Sequence, residues 1–141
     1  MIELKHLAAH LPWGVKGISS QWQSNEIQTL TGVYSFCDVL TDKDEYCMEY
    51  FKPILHPLTS LTKPITHKGE IFVPIEKLKE IYPNIDNARY LLKNDYWLTK
   101  NLADSIIEYC IIEKLLEWHF NVFNLPSDCF VEVTDEFNPY A

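Results

Sequence analysis

A chain of 141 residues with 47% hydrophobic and 13% aromatic residues can bury a core of its own, which excludes a disordered protein and favours one domain over residues 1–141. Its net charge of −8, with Arg89 as the single arginine, excludes a protein that grips the nucleic-acid backbone through a basic face. No run approaches the roughly 18 uncharged apolar residues of a membrane span, so we expect a soluble protein without membrane contact.

The N-terminal third predicts one short helix followed by strands. Apolar residues recur at helical spacing over 3–11, and Pro12 ends this helix. Runs rich in Val, Ile, Thr and aromatic residues over 15–22, 26–37 and 45–51 predict three strands. Because short polar connections join them, we expect an antiparallel meander.

The middle of the chain is punctuated by prolines and one clear turn. Pro53 and Pro57 reduce 53–61 to a short helical turn at most. The tripeptide at 67–69 (HKG) lies between two apolar runs and predicts a small hairpin. Pro74 fits the first position of a helix that ends at Pro83.

The longest patterned stretch covers 102–123, where apolar residues recur at helical spacing on an arc that shifts part-way. It predicts a long helix that is covered on two sides, and 130–134 predicts an edge strand after it. The expected fold is therefore α+β: a small antiparallel sheet packed against a long C-terminal helix, with two or three shorter helices.

Acidic residues are concentrated in two blocks. Residues 38–49 carry a net charge of −4 and residues 94–141 a net charge of −7, whereas 50–93 carries +3. A solvated acidic surface is the simplest interpretation, and contact with a basic protein partner is the functional one. The candidate partner-binding residues are Asp38, Asp42, Asp44, Glu45, Glu49, Asp135 and Glu136.

Several residue patterns contain side chains that could form a chemical site. His6 and His10 are four apart on the first helix, but no further metal ligand is near them, so surface histidines are the preferred interpretation. The 42–45 run (DKDE) lacks the glycine of a calcium loop and predicts a charged hairpin tip. Cys110 and His119 lie about 13 Å apart along the predicted helix, too far for a nucleophile and its base, and His119 is expected in the core.

The four cysteines have no CxxC spacing and apolar or aromatic neighbours. We expect reduced, mostly buried thiols in a cytoplasmic protein. The chain also has no phosphate-cradling glycine loop and no nucleophile elbow, so no catalytic residue, metal or cofactor is predicted.

Three stretches form a recurrent combination: 10–16 (HLPWGVK), 52–62 (KPILHPLTSLT) continuing to 69–75 (GEIFVPI), and 112–123 (IEKLLEWHFNVF). With them the chain resembles small proteins of no assigned function from tailed phages and prophages of anaerobic gut bacteria. The resemblance implies a viral accessory protein that acts in the cytoplasm of the host cell. It implies no active-site residues, and His56 stands where a basic residue before Pro57 is expected.

These observations favour a non-enzymatic protein that binds a host protein, for example as an inhibitor of a defence or nucleic-acid-handling complex, through its acidic surface. A homo-oligomer is compatible with this prediction. One alternative is a small enzyme or a protein that sequesters a small molecule such as a signalling nucleotide, with charge from the basic middle block. The other is a structural or assembly component of the virion.

Overall fold

The computed structural model of the protein describes residues 2–21, 26–34, 38–81 and 109–141. The chain divides into two compact units. Unit 1 consists of Met1–Leu55 and Leu125–Val133, and unit 2 of His56–Asn124 and Thr134–Ala141. Each unit contains residues from two separate stretches of the sequence.

Unit 1 contains a helix and a six-stranded sheet. The helix α1 covers Leu4–His10, and a 3-10 turn at Leu11–Trp13 follows it. The strands are β1 Lys16–Ser19, β2 Ile27–Val33, β3 Asp38–Thr41, β4 Glu45–Cys47, β5 Phe51–Leu55 and β8 Val131–Glu132. Their order is β4-β3-β2-β1-β5-β8, and every neighbouring pair is antiparallel except the parallel pair β5–β8.

The core of unit 1 is built mainly from the sheet. β5 is its most buried strand, with Phe51, Ile54 and Leu55 at 1% exposure or less. Leu7 of α1 is also fully buried. A shift of register between Leu30 and Gly32 interrupts the pairing of β2 with β3, which is the effect of one extra residue in β2.

In its described residues, unit 2 contains two α-helices and a hairpin. After a 3-10 turn at Leu58–Thr62, strands β6 Ile65–His67 and β7 Glu70–Phe72 pair antiparallel. The turn between them uses Lys68 and Gly69, both with positive φ. Helix α2 covers Pro74–Ile81, and helix α3 covers Tyr109–Glu117.

The C-terminal end of α3 is a Schellman motif. His119 N–H donates to Leu116 O, and Phe120 N–H donates to Leu115 O, both at 2.9 Å. His119 has a φ of 62°, the left-handed conformation that this motif requires after the helix. The helix therefore ends at Glu117, and Phe120 forms a parallel bridge with His56 instead of continuing it.

The predicted α+β architecture, with a small antiparallel sheet against a long C-terminal helix, is wrong. The structure is mostly sheet, six mixed strands plus a two-stranded hairpin. In the described ranges the α-helices have seven, eight and nine residues, and residues 102–108 of the predicted long helix lie outside those ranges. The physical reason lies at the end of α3, where backbone hydrogen bonds to Leu115 and Leu116 turn the chain out of the helix.

Candidate functional site

The tip of the β3–β4 hairpin carries three of the predicted acidic residues. Asp42, Lys43, Asp44 and Glu45 are consecutive and all exposed. Asp42 exchanges two hydrogen bonds with Thr29 of β2: its carboxylate accepts from Thr29 N–H at 2.9 Å, and its own N–H donates to Thr29 O at 3.0 Å. The tip therefore presents three carboxylates on a backbone that is tied to the sheet.

Thr41 fixes the tip from below. Its side chain is buried, with 5% exposed, and its hydroxyl lies 2.6 Å from Gln28 Oε1. The Thr41 hydroxyl oxygen also accepts from Asp44 N–H at 3.1 Å and from Lys43 N–H at 3.2 Å. One buried hydroxyl thus orients two consecutive residues of the tip.

Two other predicted acidic residues lie at the opposite end of the same strand pair. Asp38 pairs with Cys47 in the β3–β4 register, and Glu49 follows in a 3-10 turn at Met48–Tyr50. Tyr34 N–H donates to Asp38 O at 2.9 Å. Tyr34 and Tyr50 are 47% and 42% exposed. One accessible tyrosine is thus bonded through its backbone to Asp38, and the other directly follows Glu49 in the sequence.

The last two predicted residues, Asp135 and Glu136, belong to unit 2. They form the tip of a tight turn in which Thr134 N–H donates to Phe137 O and Phe137 N–H donates back to Thr134 O. Both carboxylates are exposed. The structure thus places five of the seven candidates in unit 1 and two in unit 2.

Unit 2 also contains a cluster of buried histidines that the sequence did not predict as a group. His56, His67 and His119 are 3%, 7% and 3% exposed. The ring centroids of His67 and His119 lie 5.6 Å apart. His56 stacks on Phe120 at 5.1 Å, and its backbone bonds both to His119 O and to Asn121 N–H.

Burial favours the neutral form of the His56 and His67 imidazoles. It lowers the pKa of His56 from 6.5 to about 4, and the nearby His67 ring is the second cause. Burial also lowers the pKa of His67, with Lys68 as the next cause. Nε2 of His56 and Nδ1 of His67 have no hydrogen-bond partner among the described residues. Two neutral imidazoles, each with one nitrogen that has no partner among the described residues, are therefore buried in unit 2.

His6 and His10, the two histidines of α1, differ in burial. His6 Nδ1 accepts from Glu3 N–H at 2.9 Å, whereas His10 is 1% exposed, so the expectation of two surface histidines is wrong for His10. His119 is buried as predicted. No group of three or more His, Cys, Asp or Glu among the described residues has the geometry of a metal site.

The described cysteines, Cys47, Cys110 and Cys129, are free thiols, each half-buried, which is less burial than predicted. Cys37 lies outside the described residues. No helix in the described ranges is long and apolar enough to cross a membrane. No protein-family model, no curated protein and no solved structure matches the chain.

Proposed function

We propose that the protein is a non-enzymatic binding module whose acidic hairpin tip, Asp42–Lys43–Asp44–Glu45, contacts a basic surface of a partner protein. The supporting observation is the combination of exposure and fixed geometry at this tip. Its three carboxylates are accessible, and its backbone is bonded to Thr29 and Thr41. A charged loop that is already ordered loses little conformational entropy on binding.

The two exposed tyrosines support the same proposal. Tyrosine is enriched at protein interfaces because it buries a large area at a small entropy cost. Tyr34 N–H donates to Asp38 O, and Tyr50 lies next to Glu49 in the same 3-10 turn; both tyrosines are exposed. An arginine-rich surface satisfies both residue types, since guanidinium groups pair with carboxylates and stack on aromatic rings.

The resemblance to phage proteins makes a protein of the host cell the expected partner, in the host cytoplasm. A basic groove that normally holds nucleic acid fits the acidic tip, and occupying it would inhibit a defence or nucleic-acid-handling complex. This form of the proposal needs no active site in the chain.

The test begins with capture of partners from host lysate by the tagged full chain, followed by affinity measurement with each purified partner. The triple variant Asp42→Asn, Asp44→Asn, Glu45→Gln removes three charges and keeps an oxygen acceptor for the bonds to Thr29 N–H and Glu45 N–H. We expect the variant to bind at least about tenfold more weakly than the wild type, and the affinity of the wild type to fall as salt rises.

The matched control is the variant Glu26→Gln, Glu80→Gln, Glu132→Gln, which removes the same number of charges from exposed positions elsewhere. It should bind like the wild type. Equal weakening by both variants would show a general charge effect, and an affinity that ignores charge and salt would refute the proposal.

Two further measurements separate the alternatives. Native mass spectrometry of protein purified from infected cells would reveal a retained small molecule, which would favour a sequestering protein. Detection of the chain in purified virus particles would favour a structural component. Either result without a host partner overturns the proposal.

A further inference from the structure

The segment Thr134–Ala141, which we name the strap, lies against the histidine cluster of unit 2. The ring of Tyr140 stacks on the ring of His119 with centroids 3.7 Å apart and planes 15° apart. Tyr140 is 6% exposed, so its ring is almost entirely covered. The strap therefore covers one face of a histidine that itself lies beside His67.

The strap is also bonded to the chain on both sides of His67. Lys68 N–H donates to Tyr140 O at 2.8 Å, and the Asn138 side-chain amide donates to Thr66 O at 2.7 Å. Because Thr66 and Lys68 are the chain neighbours of His67, the strap follows the backbone at this histidine. Strap and cluster are thus one packed arrangement.

The groups that face His67 come from several elements. Its neighbours of ionisable character are Lys68 in the hairpin turn, Glu70 in β7, Lys77 in α2, Glu117 in α3, His56 before the 3-10 turn, and His119 after α3. Lys77 is already paired with Glu70, and Glu117 with Lys114. A proton added to His67 therefore meets the His119 ring, 5.6 Å away between centroids, and carboxylates that are already paired with lysines.

We propose that the strap is released by acid: protonation of the His56–His67 pair opens Thr134–Ala141 from unit 2 while the rest of the unit stays folded. A buried imidazolium must be hydrated or paired. The strap is the cover that we expect to open first, because it forms no regular secondary structure. His56 and His119, by contrast, are fixed by the parallel bridge and the Schellman motif.

The lowered pKa of both histidines agrees with this direction. A group that takes up its proton more readily in the open form shifts the equilibrium toward that form as the pH falls. Charge on His119 alone would strengthen its stacking with Tyr140. The release therefore depends on His56 and His67, each of which has one buried ring nitrogen without a hydrogen-bond partner in the described part of the chain.

The experiment is hydrogen exchange of the full chain at pH 7.5 and pH 5.0, corrected for the intrinsic rate, with circular dichroism as the test of folding. An opening that takes up one proton becomes tenfold more populated per pH unit below the pKa of the open form. We expect protection of the Lys68 amide, which bonds to the strap, to fall by at least about tenfold. The Phe120 amide in the Schellman motif should keep its protection. An equal loss at both amides would mean that the unit opens as a whole, which overturns the proposal.

Two variants identify the cause. In His67→Gln the loss of Lys68 protection should shrink to less than about threefold, since of the two titrating rings this variant removes the one whose chain neighbours bond to the strap. In Tyr140→Ala the strap is loosened at every pH, and the pKa of His67 measured by NMR should rise, because coupling between strap and proton is reciprocal. Tyr50→Ala, in unit 1, is the control and should leave that pKa unchanged. If His67→Gln does not fold, the Tyr140→Ala titration decides, and an unchanged pKa there refutes the proposal.

Discussion

The ring of Phe51 lies over the backbone of Gly17, where β5 pairs with β1, and leaves no room for a side chain. A Cβ atom at Gly17 would come within 2.7 Å of the Lys52 carbonyl oxygen and closer still to the Phe51 ring. Phe51 is 1% exposed and cannot move without disturbing the core. Glycine is therefore required at this position by packing alone.

Gly17→Ala should lower the free energy of unfolding by about 2–3 kcal/mol, because a strand or a buried ring must shift. Gly32→Ala is the matched control, since its Cβ would make ordinary contact with Leu40 at 3.6 Å. It should change stability by less than about 1 kcal/mol. Urea denaturation of both variants measures the difference, and equal effects would contradict the packing described at Gly17.

Thr41→Val should destabilise unit 1 by about 1–3 kcal/mol, because it leaves Gln28 Oε1 and two tip N–H groups without their partner. Thr31→Val also removes a hydroxyl, but from an exposed position where the bond to Leu40 O is easily replaced by water. Its cost should stay below about 0.5 kcal/mol. Chemical denaturation distinguishes the two, and a Thr41 variant as mild as the Thr31 variant would argue against a fixed tip.

Acid should destabilise the folded chain through His10 and His56. Burial lowers the pKa of His10 from 6.5 to about 4, with His6 as a smaller cause, and that of His56 also to about 4. Both bind protons more tightly when unfolded, so the stability present above pH 6.5 is lost as the pH falls toward 4. A difference of roughly 2.5 pH units corresponds to about 3 kcal/mol for each histidine.

Denaturation curves at several pH values between 7.5 and 4 measure this loss. In His10→Asn and in His56→Asn, unfolding in acid should take up about one proton fewer than in the wild type. The free energy of unfolding should therefore depend less steeply on pH in each variant. If either variant keeps the wild-type slope, that histidine is not the titrating group.

Lys68→Asn should raise stability by about 0.5 kcal/mol, because Asn-Gly suits the positive φ values of 49° and 80° in this hairpin turn. The substitution keeps the N–H that donates to Tyr140 O. It also removes a positive charge that lowers the pKa of His67, so that pKa should rise. Thermal denaturation and histidine NMR titration check both effects, and Gly69→Ala should destabilise the same turn.

Local signals in the sequence were sufficient for several elements. The spacing over 3–11 predicts α1, Pro74 predicts the start of α2, and the turn at 67–69 predicts the β6–β7 hairpin; each is confirmed. The edge strand expected at 130–134 is also confirmed as β8. These elements depend on turn chemistry and periodicity, which a single sequence displays.

Elements that depend on distant partners were not predictable. Pro53 argues against a strand, yet it lies in β5 opposite Gly17, whose missing side chain makes the close approach possible. The end of α3 lacks the glycine that usually marks a Schellman motif, since His119 occupies the left-handed position. The prediction of a helix to residue 123 failed for that reason.

The acidic residues of the hairpin tip were predictable because charge and exposure follow from composition. The histidine cluster was not, because 56, 67 and 119 are distant in sequence and meet only through the parallel bridge and the β6 strand. The apolar neighbours of His119 in the sequence, Trp118 and Phe120, predict that this histidine is buried. They do not predict that it lies beside other histidines.

Strand β8 gives unit 1 an unusual order of assembly. β8 adds parallel to β5, and Val133 N–H donates to Leu55 O at 3.0 Å, although residues 56–124 separate these stretches in the chain. A ribosome releases the amino-terminal part first, so β5 keeps an open flank until residues 131–133 emerge. Completion of the large sheet is therefore a late event of biosynthesis, and a nascent chain stalled before residue 131 would expose a strand ready to pair with a neighbour.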